Sequence, residues 1–327
     1  MSSRELRLLS VVAPMLNEMD VAREFYERAT AALAGLSYEL VIVDDGSSDG
    51  TAALLDELAE GDERLRVLHL SRPFGHQMAL TAGLDHAAGD AVAMIDGDLQ
   101  DPPELIPELL ERWAAGADVV VAKRRTRPGE TRFKLATARG FYAVMGRLAQ
   151  VDLEPNAGDF RLLDRAPLDA LLRLRERSRF LRGMSSWVGF RSEVVEYDRD
   201  ARSAGTTKFS PARMLRFALD GITSFSNFPL QLATLFGFVM AGVALLGLPL
   251  TIVARYSGIY ERGVPSLLFA VLLIGGIQLL TLGLIGEYLG RIYDEVKQRP
   301  LYIVSRSANL DREEGARAVL REPRRDP

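Results

Sequence analysis

Ala91-Val-Ala-Met-Ile-Asp96-Gly97-Asp98-Leu-Gln100-Asp-Pro-Pro-Glu104 is the stretch that decides how the rest of this 327-residue chain reads. Its first residues, Ala91 to Ile95, form a short apolar run of the kind that fills a buried parallel strand. The run breaks into Asp96-Gly97-Asp98, two carboxylates one residue apart around a glycine that lets the backbone turn sharply. Open α/β sheets bind their ligands at the carboxyl ends of strands. Hard carboxylate oxygens there suit Mg²⁺ or Mn²⁺, which leaves its other positions for phosphate and water. Taken alone the tripeptide is equally a turn, since Asp and Gly are ordinary turn residues. The chain on either side decides between the two.

Upstream, Leu8–Ala13 reads as a strand ended by Pro14, and Asn17-Glu18 lies in a loop before a helix with Val21, Phe25, Ala29 and Leu33 on one face. Glu39–Asp44 is a second strand, ending in Asp44-Asp45-Gly-Ser-Ser-Asp-Gly-Thr51, whose Ser and Asp can cap the next helix. Leu65–Leu70 is a third strand, and Arg72-Pro-Phe-Gly-His-Gln77 leads into a helix from Met78 to Ala88. Downstream, Pro102-Pro103 opens a helix to about Ala115, and Asp118–Lys123 is a fifth strand. Strands alternating with helices predict a doubly wound, mostly parallel sheet. Its strand ends lie along one edge, so Glu18, Asp44, Asp45, Asp96 and Asp98 are expected to converge there. Neither Gly-x-Gly-x-x-Gly nor Gly-x-x-x-x-Gly-Lys-Ser/Thr occurs, so neither a dinucleotide fold nor a P-loop is indicated.

Composition narrows the chemistry. A net charge of -4 and a pI near 5.6 give no support to a nucleic-acid partner. With no cysteine there is no disulfide framework, thiolate metal site or thiol nucleophile. Three histidines without a His-x-x-x-His pair argue against a zinc hydrolase. Residues 1 to 9 are charged and too poor in apolar content for a signal peptide, which keeps the N-terminal domain in the cytoplasm.

Beyond residue 123 the sign of the charge changes. Arg124, Arg125, Arg127, Arg132, Lys134 and Arg139 form a basic run that is either a solvated loop or a lid meeting phosphate, for which the arginine fork is suited. Asn156-Ala-Gly-Asp159-Phe-Arg161 is a short strand carrying an acid and a base. Arg202 and Lys208 bracket a Gly-containing loop. Residues 211–229 form an amphipathic helix, with Met214, Phe217, Ala218, Ile222 and Phe225 on one face, suited to the membrane interface. Apolar stretches at about 230–254 and 265–286 are each long enough to span a bilayer, which predicts a two-helix transmembrane hairpin. Arg213, Arg216, Arg291, Lys297 and Arg299 put its ends on the cytoplasmic side of the cell membrane. Gly237 with Ala241 and Gly286 with Gly290 permit close helix contact within a chain or in a homo-oligomer. Residues 1–210 are thus expected to form the catalytic domain, 230–290 the membrane part and 291–327 a tail, Arg/Glu-rich and without structure from Ser307 on.

Pro14-Met-Leu16-Asn-Glu18, Val43-Asp44-Asp45-Gly-Ser-Ser-Asp-Gly-Thr51, the Asp96–Glu104 run and Lys208 after Gly205 resemble the family 2 glycosyltransferases of GT-A fold. The Asp-Leu-Gln-Asp-Pro-Pro-Glu run resembles their polyprenyl-phosphate branch, and the likeness extends from Leu8 to Pro300. Pro73 departs from the Arg-Asn-Phe-Gly common at that place, and His76-Gln77 reads as variation without consequence.

The resemblance implies an inverting transfer from a nucleotide-sugar donor, with a UDP-sugar favoured over GDP-mannose, to a polyprenyl-phosphate lipid acceptor in the bilayer. It implies that Pro14, Leu16, Glu18 and Asp44 hold the nucleoside with Asp45 nearby, and that Asp96, Gly97, Asp98 and Gln100 hold diphosphate and metal. Arg124 and Arg139 would meet phosphates, Arg202 and Lys208 would clamp the acceptor or leaving phosphate, and Asp159 would be an acceptor-side acid. Two other readings fit less of the chain: a processive polysaccharide synthase, which lacks its Gln-x-x-Arg-Trp here, and a non-catalytic nucleotide-binding or flippase-accessory subunit, which has no need of the acidic cluster.

Overall fold

The computed structural model describes residues 4–125, 154, 157–198, 264–310 and scattered positions between 230 and 257. The chain divides into two compact units. One gathers 1–146, 150–208 and 299–327, the other 147–149 and 209–298.

The first unit is built on four parallel strands: β1 (Leu9–Met15), β2 (Tyr38–Asp44), β3 (Leu65–Leu70) and β4 (Ala91–Met94). Nearly every residue of these strands is buried, which explains their unbroken apolar runs: both faces of the sheet are covered. Helix α1 (Ala22–Ala32) buries Ala22, Phe25 and Ala29, as its period requires. Helix α2 (Thr51–Gly61) begins where Asp49 accepts both the N–H and the hydroxyl of Thr51, at 3.0 and 2.6 Å. Helix α3 (His76–His86) lies so close to the sheet that a side chain at Gly83 would run into Val12 and Val43. After β4 a 3₁₀ turn, Pro103–Leu105, precedes α4 (Ile106–Ala114), so the two prolines open that turn rather than the α-helix itself.

The strand order departs from a simple doubly wound sheet. Eight strands run β7-β5-β6-β4-β1-β2-β3-β8. β5 (Val119–Arg124) does not pair with β4. β6 (Ala157–Asp164) inserts antiparallel between them, and β7 (Ser192–Tyr197) lies parallel to β5 at the edge. Between β6 and β7, α5 (Arg165–Arg173) and α6 (Leu181–Trp187) cover the sheet.

The tail expected to lack structure from Ser307 onward instead completes the other edge. β8 (Val304–Ala308) pairs antiparallel with β3, and the Asn309 side-chain amide donates to the carbonyls of Ala59, Asp62 and Leu65 at 2.7–3.1 Å. Just before β8, buried Tyr302 donates its hydroxyl to Asp85 of α3 at 2.9 Å. Residues 311–327 lie outside the described ones.

In the second unit, α7 (Val264–Val296) runs 33 residues, about 50 Å at 1.5 Å per residue. Its part from Leu273 to Val296 is the one helix, among the described residues, long and apolar enough to cross a membrane, and none of that part is buried. The helix outruns the expected end at residue 286 by ten residues, through Glu287, Arg291, Asp294 and Glu295. The interfacial helix at 211–229 and most of the span at 230–254 lie outside the described residues.

Candidate active site

The loops after β1 and β2 form one hydrogen-bonded unit at the carboxyl edge of the sheet. Asn17 takes a left-handed φ of 57°, which asparagine tolerates. Its N–H donates to Ser47 Oγ at 2.9 Å and its Oδ1 accepts Ser48 N–H at 2.8 Å. The N–H of Glu18 donates to Thr51 Oγ1 at 3.0 Å, and that of Met19 to Asp49 Oδ2 at 3.1 Å. Pro14 lies within β1, and Leu16 is exposed just beyond it.

Asp44 and Asp45 are both buried, and both are engaged. Asp44 Oδ1 accepts Ser47 N–H at 2.9 Å and its Oδ2 meets His69 Nδ1 at 2.9 Å. Burial alone would raise this carboxyl, but the bonds from His69 and Ser47 hold it below its ordinary value. Asp45 spends both oxygens on the loop after β3, accepting Phe74 N–H at 2.7 Å and Gly75 N–H at 2.8 Å. Asp45 therefore shapes the loop that delivers His76 and Gln77.

Asp96-Gly97-Asp98 turns where it was expected to, at the carboxyl end of β4. A Cβ on Gly97 would lie 2.8 Å from Met15 Cγ and 2.9 Å from the Pro14 carbonyl oxygen, so only glycine lets this loop press on β1. Asp98 and Gln100 face each other across Leu99, which takes a φ of 56°. Gln100 donates its N–H to Asp98 Oδ1 at 3.1 Å and its side-chain amide to Asp98 Oδ2 at 2.6 Å. Asp96 turns elsewhere, to His76 Nε2 at 2.8 Å.

His76 links Asp96 to a second acid. Its Nδ1 is 3.7 Å from Asp159 Oδ2 on β6. Burial disfavours the imidazolium, yet the carboxylates of Asp96 and Asp159 raise its pKa. Asp159 is itself buried. It takes Arg182 Nε at 2.8 Å on one oxygen, and Gln77 Nε2 at 3.0 Å with Arg182 Nη2 at 3.3 Å on the other. Burial raises this carboxyl, but the charge and bonds of Arg182 outweigh it and keep the acid ionised. Arg161, two residues along β6, is buried under it, donates to the Gly158 carbonyl and the Ser185 hydroxyl, and is lowered by burial to about 10.

Arg124, expected to meet phosphate, is bonded within the first unit. It donates to Asp101 Oδ2 at 3.0 Å and to the Tyr197 hydroxyl at 3.0 Å, while Tyr197 donates to Asp101 Oδ1 at 2.5 Å. Asp101 is fully buried, so this triad ties the Asp-Gly-Asp loop to β5 and β7. Arg139, Arg202 and Lys208 lie outside the described residues.

Sequence reasoning missed His76, Gln77 and Arg182. The first two stand at the start of α3, on the sheet edge already suspected, so their position was a signal. Arg182 carried none, because nothing local to α6 says that it faces β6.

Two sets of side chains carry the donor types that a divalent cation takes, and one of them has its ligand atoms close together. Asp96, Asp98 and Gln100 offer hard oxygens, and the Gln100 amide already touching Asp98 presents oxygen in place of nitrogen by a half-turn about its last bond. His76, Asp96 and Asp159 form the other, with ligand atoms all within 4.8 Å of one another. Asp96 belongs to both.

Residues 10–172 match the family model described as glycosyl transferase family 2. The SfII prophage-derived bactoprenol glucosyl transferase of Shigella flexneri is 45% identical over 302 residues, 91% of this chain and 98% of the relative. An uncharacterized glycosyltransferase of Bacillus subtilis is 46% identical over 305 residues, 92% and 94% of the two chains. A solved structure of glucosyl-3-phosphoglycerate synthase from Mycobacterium tuberculosis, in complex with Mn²⁺, uridine diphosphate and phosphoglyceric acid, has a TM-score of 0.48 and 23% identity, covering 67% of this chain and 77% of that one. The protein is an enzyme of the glycosyltransferase class with the GT-A fold. It belongs to glycosyltransferase family 2.

Proposed function

We propose that this enzyme transfers a sugar from a nucleotide-diphosphate sugar, with UDP-glucose favoured over GDP-mannose, to a polyprenyl monophosphate in the membrane. The observation that carries the reading is the end-to-end likeness to a bactoprenol glucosyl transferase, which runs through the apolar C-terminal helix. A water-soluble donor and a lipid acceptor call for an active site held against a bilayer. The domain at 1–210 with two spans at 230–254 and 265–286, ends toward the cytoplasm, would supply one.

The acceptor phosphate oxygen attacks the anomeric carbon, forming a carbon–oxygen bond. The bond from that carbon to the donor's diphosphate breaks, and the nucleoside diphosphate leaves with the electron pair, inverting the configuration. The nucleophile is ionised at neutral pH, so no strong base is needed. Asp159, held as a carboxylate by Arg182 and Gln77, fits the task of aiming Arg182 at the acceptor phosphate. Asp44 and the loop of residues 14–18 would receive the nucleoside, and Arg139, Arg202 and Lys208 the phosphates. A Mg²⁺ or Mn²⁺ ion held by Asp96, Asp98 and Gln100 would stabilise charge on the leaving diphosphate.

The test is a product assay on the full chain in membranes containing polyprenyl phosphate, offering labelled UDP-glucose, UDP-galactose and GDP-mannose. Label from UDP-glucose is expected in an organic-extractable, acid-labile product. Asp98→Asn is expected to slow its formation at least about 100-fold. No label from any donor would sink the reading, and wild-type rates in Asp98→Asn would sink the metal assignment.

A further inference from the structure

Behind the nucleoside loop runs a line of side chains that ends on the strand following the membrane helix. Asp44 Oδ2 meets His69 Nδ1 at 2.9 Å, and His69 Nε2 meets Asp56 Oδ1 at 3.0 Å. The other oxygen of Asp56 is taken by Arg306 Nη1. Arg306 stands directly opposite His69 in the β3–β8 ladder, and Ser305 donates its hydroxyl to the His69 carbonyl at 2.9 Å. His69 and Asp44 are both buried, at 3% and 2% exposure, so their geometry is set by these partners and not by water. The ring of His69 thus lies between two carboxylates, one at each nitrogen, and Arg306 fixes the outer one.

We infer that the strand beyond the membrane helix is part of the donor site: Arg306, through Asp56 and His69, positions the Asp44 carboxylate for the nucleoside. The inference rests on Asp44 binding the nucleoside, as proposed above. All three act through Asp44, so they are positioning residues. Their leverage differs. The Arg306–Asp56 pair is half exposed, and such pairs are weak by themselves. The His69–Asp44 bond is buried and charge-assisted, and losing it leaves Asp44 free to turn. Effects should therefore grow along the line from Arg306 to His69.

The experiment uses the full chain in detergent, with uridine diphosphate and Mn²⁺ as the calorimetric probe. Arg306→Ala and Asp56→Asn are expected to weaken uridine diphosphate binding about three- to tenfold, and His69→Asn by about tenfold or more. Arg306→Lys, which keeps a cation opposite Asp56, is expected to restore most of the loss. In turnover the donor KM should rise while the acceptor KM stays put. A loss of fold would instead lower kcat and Tm without that split. Arg306 and Asp56 lie at the surface, so their variants fold even where a His69 variant does not. Unchanged uridine diphosphate affinity in both Arg306→Ala and Asp56→Asn, with Asp44→Asn weakened, would overturn the relay alone. Unchanged affinity in Asp44→Asn would overturn the nucleoside role and the relay with it.

Discussion

Asp159 is where two mechanisms part. A general base should be free to take a proton, whereas this carboxylate is buried and gripped by Arg182 and Gln77. Replacing Asp159 by Asn keeps the shape and releases Arg182, so the acceptor KM is expected to rise about tenfold with the donor KM unmoved. A pH–rate profile that lost its acidic limb in this variant would favour the base instead. The same carboxyl gives a stability prediction. Its folded pKa lies below the ordinary 3.8, so its contribution is fully present above that value and is lost as pH falls through the lower, folded one. Asp159→Asn should therefore flatten the acid-unfolding curve below about pH 4, measured by near-ultraviolet circular dichroism. The residues that carry this argument were only half legible. Asp159 stood out as an acid two residues before a base on a short strand, but Arg182 is 23 residues away, and a sequence does not say which loops end up facing each other.

At the level of elements, the Asp-Gly-Asp loop works because three neighbours fix it. Gly97 presses on β1, and the Arg124–Asp101–Tyr197 triad ties the loop's far side to β5 and β7. Gly97→Ala is expected to force the loop off Met15 and Pro14 at a cost of about 1–3 kcal/mol, with transfer activity falling further than stability. Tyr197→Phe leaves buried Asp101 short of a donor and should lower stability by about 1–3 kcal/mol, read from the thermal midpoint. A Gly97→Ala variant as active as the wild type would show that the loop has room which its contacts deny. The first four strands were readable because burial on both faces writes an apolar run into the sequence. β6 was readable as a strand but not as the wedge between β4 and β5, since pairing partners are chosen by long-range packing. β8, Val-Ser-Arg-Ser-Ala, was missed because a short polar edge strand has almost no composition signal.

For the whole molecule, the length and apolar composition of α7 make the solvent testable. Carbonate washing is expected to leave the chain in the membrane and detergent to release it, and recovery in the wash would remove the bilayer from the account. The domain's contents are also discontinuous in sequence, since residues 299–310 return to a sheet begun at residue 9. This has a consequence for synthesis. A ribosome adding about 5–20 residues per second needs on the order of 5–20 s to travel from residue 208 to β8. Throughout that interval β3 presents an open edge, and His69 lacks the arginine that will face it. The sheet of the first unit thus stays unfinished until residues 209–298 have been made. On the relay proposed above, a chain cut short before β8 lacks both this sheet edge and Arg306, and is expected to bind uridine diphosphate more weakly than the full chain.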